Sequence, residues 1–361
     1  MNYTEIIHAR LHNHQIVNPD FSTPNALLGW IGAMQAQDYE MAKWAVGVRL
    51  PEATREDIEE AIENSHIIRT HLLRPTWHLI SAEHLPWLLE LSRPRVKVAV
   101  RSRQKQLGLT DEVVSRSNRT IKEILADSQP LTRSELLEQL EEAGFENKDN
   151  RISHLLLRAE LDGIIGSGPS KDTQYTYRLM EDRLTQISSF NKGEARRKLA
   201  QLYFQSHGPA TLEDFVWWSG LTKTSSKKAV KMLEPELISE EIGDRTYWFF
   251  ETSLPPEQST PSMYLLPAYD EYVVSYRNRE MIINGEHEAK SISANGIFRP
   301  VIVVNGKVKG IWKRKVKSDS VKVKLRFFEN PGSETKTLAA EQAERFAGFL
   351  GKELELAVLD N

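Results

Sequence analysis

Residues 67–80 read IIRTHLLRPTWHLI and hold two apolar runs, Ile67 to Thr70 and Thr76 to Ile80. β-Branched and aromatic residues are enriched in such runs when they form strands. Arg74-Pro75 lies between them, and a proline at such a position is typical of a turn. The stretch therefore predicts two strands joined by a turn, and the elements in front of it decide which fold they belong to.

Two helices are predicted before these strands. Ser22-Thr23-Pro24 is a helix start, with a hydroxyl cap followed by proline in the first turn. Apolar residues at helical spacing follow it: Leu27, Leu28, Ile31 and Met34. Glu56 to Asn64 is a second, amphipathic helix with Ile58 and Ile62 inward. Helices followed by a two-stranded hairpin form the winged-helix pattern.

The same order of elements recurs twice along the chain. After Leu131-Thr132, helices are predicted from residue 133 and over 151–162, with strands at 163–166 and 175–178. After Ala210-Thr211, helices are predicted over 212–218 and 225–233, with strands at 237–238 and 246–250. The copies match in the order of their elements and not in sequence. We predict three winged-helix modules, at residues 1–115, 116–190 and 191–255.

A different pattern follows. Three prolines between residues 253 and 262 indicate a linker to a last module, residues 256–361. Pro300 to Val304 and Lys307 to Lys313 alternate around Asn305-Gly306, a strong hairpin signal. Val321 to Phe327 adds a strand, and an amphipathic helix closes the module. The predicted fold class is α+β: tandem winged-helix modules with a C-terminal α+β module that carries a β-hairpin.

Charge is distributed unevenly. The net charge of −3 argues mildly against a nucleic-acid binder, but two segments are strongly basic. Residues 93–105 contain six Lys or Arg and no acid, and residues 305–326 contain nine Lys or Arg and one acid. A polarised molecule binds phosphates on one face despite a small net charge. The candidate DNA-binding residues are Arg93, Arg95, Arg101, Arg103, Asn305, Lys307, Lys309 and Lys313; the alternative is that both segments are solvated surface.

Several classes of function lack their motifs. Without cysteine there is no disulfide, thiolate zinc site, iron–sulfur cluster or cysteine nucleophile. The sequence has no HExxH, no GxxxxGK[ST] and no GxGxxG at the head of a helix, so we expect no metal and no cofactor. It shows no signal peptide and no run of eighteen apolar residues. We expect a cytoplasmic monomer without a membrane partner.

Residues 34–38, Met-Gln-Ala-Gln-Asp, place two amides among hydrophobic neighbours. Amides near a core need partners for their donors and acceptors, so they are usually retained to hold something polar. Residues two apart on a helix point about 200° apart. If Gln35 and Gln37 act together, the chain must therefore leave the helix near Met34 and run extended. The alternative is a buried amide pair that braces the first module.

Other stretches accompany this pair: Arg74 to Leu79, Leu265 to Tyr272, Tyr276 to Arg279, Phe298 to Lys307 and Gly310 to Trp312. As a set they resemble the AlkZ-like family of bacterial winged-helix DNA glycosylases, which unhook interstrand crosslinks and excise bulky N7-alkylpurines. That family carries Gln-aliphatic-Gln or Gln-aliphatic-Asp, and this sequence has the first form. The resemblance implies that Gln35 and Gln37 are catalytic. It also implies that a β-hairpin, here at Asn305-Gly306, reaches into the DNA groove.

The chemistry of such a lesion suits this motif. An N7-alkylated purine is cationic and leaves as a neutral base, so hydrolysis needs a placed water more than a strong acid. A pair of amides can place that water. Asp38 could add a base and a negative charge, although strand alternation would point it away from both glutamines. His78 is either a structural imidazole or a residue that lines the DNA groove. Asp270 and Arg277 are predicted to form a structural ion pair.

The sequence therefore predicts an enzyme whose partner is double-stranded DNA with alkylated or crosslinked bases. Two alternatives remain. A non-catalytic tandem winged-helix regulator would read base edges in the major groove. A protein-interaction module would show no salt-sensitive affinity for DNA.

Overall fold

The structure, a computed structural model, describes residues 1–126, 129–171, 174–180, 191–253 and 261–359. Most of the predicted linker at 253–262 and the end of the predicted second module, residues 181–190, lie outside the described residues. Within them the chain mixes helices and strands, and the predicted α+β class is confirmed.

The first region contains the predicted helices and hairpin. Its elements are α1 (Tyr3–Asn13), α2 (Pro24–Ile31), β1 (Met34–Gln35), α3 (Tyr39–Gly47), α4 (Arg55–Glu63), β2 (Ile67–Leu72) and β3 (Thr76–Ser81). The Thr23 side chain accepts from the Ala26 N–H, so α2 begins at the predicted cap. It ends at Gly32, whose φ of 85° is a conformation that glycine adopts without strain.

The middle of the chain repeats this order of elements. The long helix α5 (Leu85–Gln106) leads to the second region: α6 (Asp111–Ala126), β4 (Leu131–Thr132), α7 (Arg133–Glu142), α8 (Arg151–Leu161), β5 (Ile165–Lys171) and β6 (Gln174–Leu179). The third region comprises α9 (Lys192–His207), β7 (Ala210–Thr211), α10 (Leu212–Ser219), α11 (Lys223–Lys231), β8 (Ile238–Ile242) and β9 (Arg245–Phe249).

Three small sheets share one topology. Their strand orders are β1-β3-β2, β4-β6-β5 and β7-β9-β8. In each, a short strand ahead of a helix pairs with the second strand of a later hairpin. This common order agrees with the repeat seen in the sequence; the division into three winged-helix modules stays a prediction.

The last region is built on a five-stranded sheet. Its elements are β10 (Met263–Leu266), α12 (Glu271–Val274), α13 (Gly285–Ser291), β11 (Val301–Val304), β12 (Lys307–Val316), β13 (Ser320–Phe327), α14 (Ser333–Phe349) and β14 (Glu353–Leu359). The sheet order is β10-β11-β12-β13-β14, with only the β13–β14 pair parallel. The sequence predicted three strands and the helix, and it missed β10 and β14.

The first and last regions share one apolar core. The buried Trp44 of α3 donates from Nε1 to the Leu265 carbonyl of β10 at 2.7 Å, and its ring packs against Phe346 of α14. The two ends of the chain are therefore folded together, and the segment that follows β10 lies beside the motif at residues 34–38.

A buried ion pair strengthens this junction, and it corrects a prediction. Asp270 binds both terminal nitrogens of Arg49 at 2.8 Å, and neither side chain is exposed to solvent. The predicted partner, Arg277, lies beyond the end of α12 with an exposed side chain, and its backbone N–H donates to Asp214. The predicted Asp270–Arg277 pair is therefore wrong, because Arg49 from the first region binds both oxygens of the Asp270 carboxylate.

Candidate active site

Gln35 and Gln37 lie where the chain leaves α2 and runs along β3. Gln35 is paired with His78 in the β1–β3 ladder. The next residue, Ala36, continues the contact, since its N–H donates to the Trp77 carbonyl at 2.7 Å. The extended conformation that was predicted after Met34 is confirmed.

The backbone of this segment is clamped from two further sides. The Gln35 N–H donates to Oε1 of Glu271 at 2.7 Å, and Glu271 is fully buried. The Ala36 carbonyl accepts from Nε of Arg69 at 2.9 Å. The Arg69 guanidinium lies 4.5 Å from the ring centre of Trp77 and 4.4 Å from that of Tyr175. Contacts from the first, second and last regions thus fix the peptide backbone between the two glutamines.

The side-chain oxygens of both glutamines are already used. Oε1 of Gln35 accepts from Nη2 of Arg74 at 3.0 Å, and Oε1 of Gln37 accepts from the Trp77 N–H at 3.1 Å. Arginine and backbone N–H groups only donate, so these contacts settle which end of each amide is the oxygen. Neither Nε2 has a hydrogen-bond partner in the described part of the chain. The carbonyl ends brace the first region, and the NH2 ends stay available as donors.

Asp38 begins the next helix. Its Oδ1 accepts from the Met41 N–H at 3.1 Å, which caps α3, and lies 3.5 Å from Nη2 of Arg314. Strand alternation does not extend to Asp38, because β1 ends at Gln35; the argument that placed its side chain opposite both glutamines fails for that reason. The side chain is 40 % exposed, and Oδ2 accepts no hydrogen bond from any residue in the described ranges. A carboxylate with one unoccupied oxygen therefore borders the motif.

His78 lies opposite Gln35 in the β1–β3 pair and has no exposed surface. Burial lowers the pKa of its imidazole to about 3, and the nearby charge of Arg74 lowers it further. The ring is therefore neutral near pH 7, with Nδ1 3.0 Å from the Thr76 carbonyl that it donates to. A side chain without exposed surface cannot touch a lesion, so of the two predicted roles the structure favours the structural imidazole.

The first basic segment lies on α5 and is partly structural. Arg93 and Arg103 donate to backbone carbonyl oxygens of the second region at 2.7 and 3.0 Å. Arg95 and Arg101 are exposed. Arg95 also donates from Nε to the Gly220 carbonyl at 3.2 Å, so three of the four arginines predicted to contact DNA here join elements of the fold, although Arg95 is exposed like Arg101.

The turn at Asn305-Gly306 forms as predicted, but it is not free. Gly306 is buried, its carbonyl accepts from the Tyr272 hydroxyl at 2.8 Å, and a Cβ there would collide with Ile7 of α1. Asn305 is bonded through its backbone and side chain to Ser262. The body of the protein holds this turn, which argues against its reaching into the DNA groove; contact of the turn with DNA stays a prediction.

The other end of β12 approaches the motif through Arg314. Seven residues separate Lys307 from Arg314, which is roughly 23 Å along a strand. Lys307 and Lys309 therefore lie at the opposite end of β12 from Arg314, and Lys309 is 3.5 Å from Glu329. The β12–β13 hairpin, and not the β11–β12 turn, is the basic hairpin beside the candidate site.

One face of this hairpin carries an array of cations. Lys313 is directly opposite Lys324, and Lys315 is opposite Lys322. Like charges in directly opposed positions of an antiparallel pair are destabilising. We call these residues, with Arg326, the basic hairpin face. An anion bound there would relieve the repulsion, and this arrangement could not be read from the sequence because it depends on the β12–β13 register.

Some functional classes find no support in the geometry. Within the described ranges, no group of three or more His, Asp or Glu side chains converges as metal ligands do. None of the helices that the structure describes is long and apolar enough to cross a membrane.

Comparisons with known proteins agree with the motif set. A relative from Streptomyces sahachiroi, an interstrand DNA cross-link repair glycosylase, is 24 % identical over 302 residues, which are 79 % of this chain and 81 % of the relative. The solved structure of Streptomyces sahachiroi DNA glycosylase AlkZ has the same fold, with a TM-score of 0.81 and 20 % identity over 99 % of this chain and 100 % of that one. The family model for AlkZ-like DNA glycosylases matches residues 28–349. The resemblance predicted from the sequence is confirmed, and the chain belongs to the AlkZ-like family of DNA glycosylases.

Proposed function

We propose that this DNA glycosylase hydrolyses the N-glycosidic bond of N7-alkylguanine in duplex DNA and unhooks crosslinks that are attached to that base. Family membership supports the reaction class. The relative's description as a cross-link repair glycosylase supports the crosslink as a substrate. The observation that carries the site assignment is the pair of unpartnered amide nitrogens on a clamped backbone.

The reaction needs little acid catalysis. The C1′–N9 bond breaks, its electron pair stays on the base, and the positive charge at N7 is thereby neutralised. A water oxygen forms the new bond to C1′ and loses a proton. The enzyme has to place the water, accept that proton and tolerate positive charge on the sugar.

The two free Nε2 groups of the glutamines have different roles in this reaction. A water that accepted from both Nε2 groups would have both lone pairs occupied and could not attack. One amide therefore holds the water, and the other holds an oxygen of the substrate. The proton passes to a carboxylate, and Asp38 at the end of the same segment has an oxygen available for it. The same negative charge favours an oxocarbenium-like state.

Binding to the duplex would use the exposed cations. The β12–β13 hairpin reaches Asp38 through Arg314, while the basic hairpin face lies on the opposite side of the same strands, and Arg95 and Arg101 add exposed charge on α5. Phosphate contacts of this kind supply affinity without sequence preference. We propose that the three winged-helix modules and the C-terminal module, acting as a monomer, hold the duplex between these surfaces.

A direct test uses duplex DNA with a single 7-methylguanine. The protein should produce abasic sites that break on heating, and Gln106→Ala should do so at the wild-type rate. Gln106 is a suitable control because it lies on the exposed side of α5 in a Gln-X-Gln stretch of the same spacing. Binding of this DNA without any base release would contradict the proposal and would instead support the non-catalytic regulator.

A further inference from the structure

Trp217 is a large apolar side chain that the fold leaves open to solvent. It lies on α10 next to Trp218, which is fully buried, whereas Trp217 is 39 % exposed. Its Nε1 donates to the Val274 carbonyl at 2.8 Å. Because the only polar atom of the side chain is turned inward, the exposed part of the indole is apolar ring surface.

Two guanidinium groups flank this ring. Cζ of Arg74 lies 5.6 Å from the indole centre, and Cζ of Arg279 lies 5.5 Å from it. Such contacts between a cation and an aromatic face are attractive. Arg279 is also 4.9 Å from the ring centre of Phe298, and burial lowers its pKa to about 10, which leaves it charged near pH 7.

Each of the two arginines has one N–H donor group without a hydrogen-bond acceptor among the described residues. Nε of Arg74 and Nη2 of Arg279 are buried and have no hydrogen-bond partner among the described residues. A buried donor without an acceptor is unfavourable, and because neither atom has exposed surface, the two guanidinium groups have to turn before either atom can donate to a ligand. Arg74 also holds Gln35 through Nη2, which places the cluster one side chain away from the motif.

We propose that Trp217 stacks on an uncharged nucleobase next to the lesion, while Arg74 and Arg279 donate to oxygen atoms of the same nucleotide. A flat aromatic ring that carries an anionic group matches an apolar ring face between two cations. This assignment rests on the proposed function.

The charges also decide which base is bound. An N7-alkylguanine is cationic, and two guanidinium groups repel it. The platform of Trp217, Arg74 and Arg279 therefore selects a neighbouring or opposing base of ordinary charge, and the damaged base stays at the glutamines. Stacking accepts every base, so this contact does not add sequence preference.

The experiment uses DNA that cannot be cleaved. A duplex carries a tetrahydrofuran abasic site flanked by 2-aminopurine, whose fluorescence is quenched when it stacks. Trp217→Leu keeps an apolar side chain without a π face, and Trp217→Phe restores one. We expect Trp217→Leu to weaken binding about tenfold and to raise the 2-aminopurine emission of the complex, and Trp217→Phe to recover most of both. Tyr3→Ala removes another exposed aromatic side chain and should change neither.

The outcomes separate the two proposals. Wild-type affinity and wild-type emission in Trp217→Leu would overturn the stacking platform, whether or not the protein excises 7-methylguanine. Absence of excision by the wild-type protein would overturn the proposed function, and is measured in a different assay. If Trp217→Leu does not fold, Trp217→Phe is compared with Arg279→Gln, and equal binding by wild type and Arg279→Gln would overturn the platform.

Discussion

Arg74 donates to the side-chain oxygen of Gln35 at 3.0 Å, and this single contact determines what Gln35 can offer a ligand. Because the guanidinium has no acceptor, the amide must turn its oxygen towards Arg74 and its nitrogen away. The backbone N–H of Trp77 does the same for Gln37. The motif can therefore offer a ligand two amide donors, one from each glutamine.

Replacing either glutamine should remove one donor from the reacting centre. We expect Gln35→Ala and Gln37→Ala each to slow excision of 7-methylguanine by about 100-fold, in single-turnover reactions that product release cannot mask. The double variant should be little slower than the slower single one, because a placed water and a held substrate accelerate the reaction only together. Gln37→Asp should keep substantial activity although it loses the donor, because a carboxylate can accept the proton of the water and favour the oxocarbenium-like state. Wild-type rates in both single variants would remove the motif from catalysis.

Gln37 also has a structural role. Its oxygen accepts the Trp77 N–H, and the alanine variant leaves that donor without its partner. We expect Gln37→Ala to lower the free energy of unfolding by about 1 kcal/mol, measured by urea denaturation, with Gln106→Ala unchanged. On sequence alone we would expect no change for a purely catalytic amide. A loss above about 3 kcal/mol would indicate that the amide serves mainly the core.

Asp38 can be tested without disturbing its helix. Asparagine caps helices as well as aspartate does, so Asp38→Asn should leave α3 intact, and loss of the Arg314 ion pair should lower the stability by at most about 1 kcal/mol. The amide cannot take the proton of the attacking water, and excision should slow by about 100-fold or more. An unchanged excision rate in Asp38→Asn would transfer the role of proton acceptor to another group.

The basic hairpin face should determine the salt dependence of DNA binding. Each neutralised phosphate contributes about 0.9 to the log–log slope of affinity against salt, so replacing Lys313 and Lys324 with glutamine should flatten the slope by up to about 1.8. Lys307 and Lys309 serve as the matched control at the held end of the strand. If replacing Lys307 and Lys309 flattened the slope and replacing Lys313 and Lys324 did not, the DNA contact would instead lie at the Asn305-Gly306 turn.

Acid should destabilise the protein through His78. Its folded-state pKa is about 3, below the value of an unfolded histidine, so between about pH 6.5 and 3 the unfolded chain binds a proton that the folded chain does not. Stability therefore falls as the pH falls through this window. His78→Gln should make the fall shallower, by up to about 1.4 kcal/mol per pH unit. His66→Gln, at an exposed position, should follow the wild-type curve.

Local patterns predicted local structure well. Thr23 caps α2, and the demand that two glutamines act together correctly placed an extended segment after Met34. The turn at Asn305-Gly306 also forms where its dipeptide predicts. The interactions that determine the cap and the turn lie within a few residues of each other in sequence, whereas the extended segment was placed correctly although its partners Trp77 and Glu271 are distant.

What could not be predicted depends on distant partners. Whether the Asn305-Gly306 turn is free depends on Ile7 and Tyr272, and the ion partner of Asp270 is Arg49. The strand β14 joins the sheet in parallel after a helix, a pairing that no local alternation specifies. For the same reason Arg74 could be recognised as part of a sequence motif, but its hydrogen bond to Gln35 could not be predicted.

The shared core of the first and last regions has a consequence for synthesis on the ribosome. Gln35 leaves the ribosome early, yet the carboxylate that fixes its backbone belongs to a residue 236 positions later. At 5–20 residues per second, the wait is roughly 12–47 s. During that time the Gln35 N–H lacks its carboxylate partner and only contacts within the first region hold the two glutamines, so a nascent chain carries an incomplete form of the proposed site. The fully clamped motif can form only after Glu271 has been synthesised.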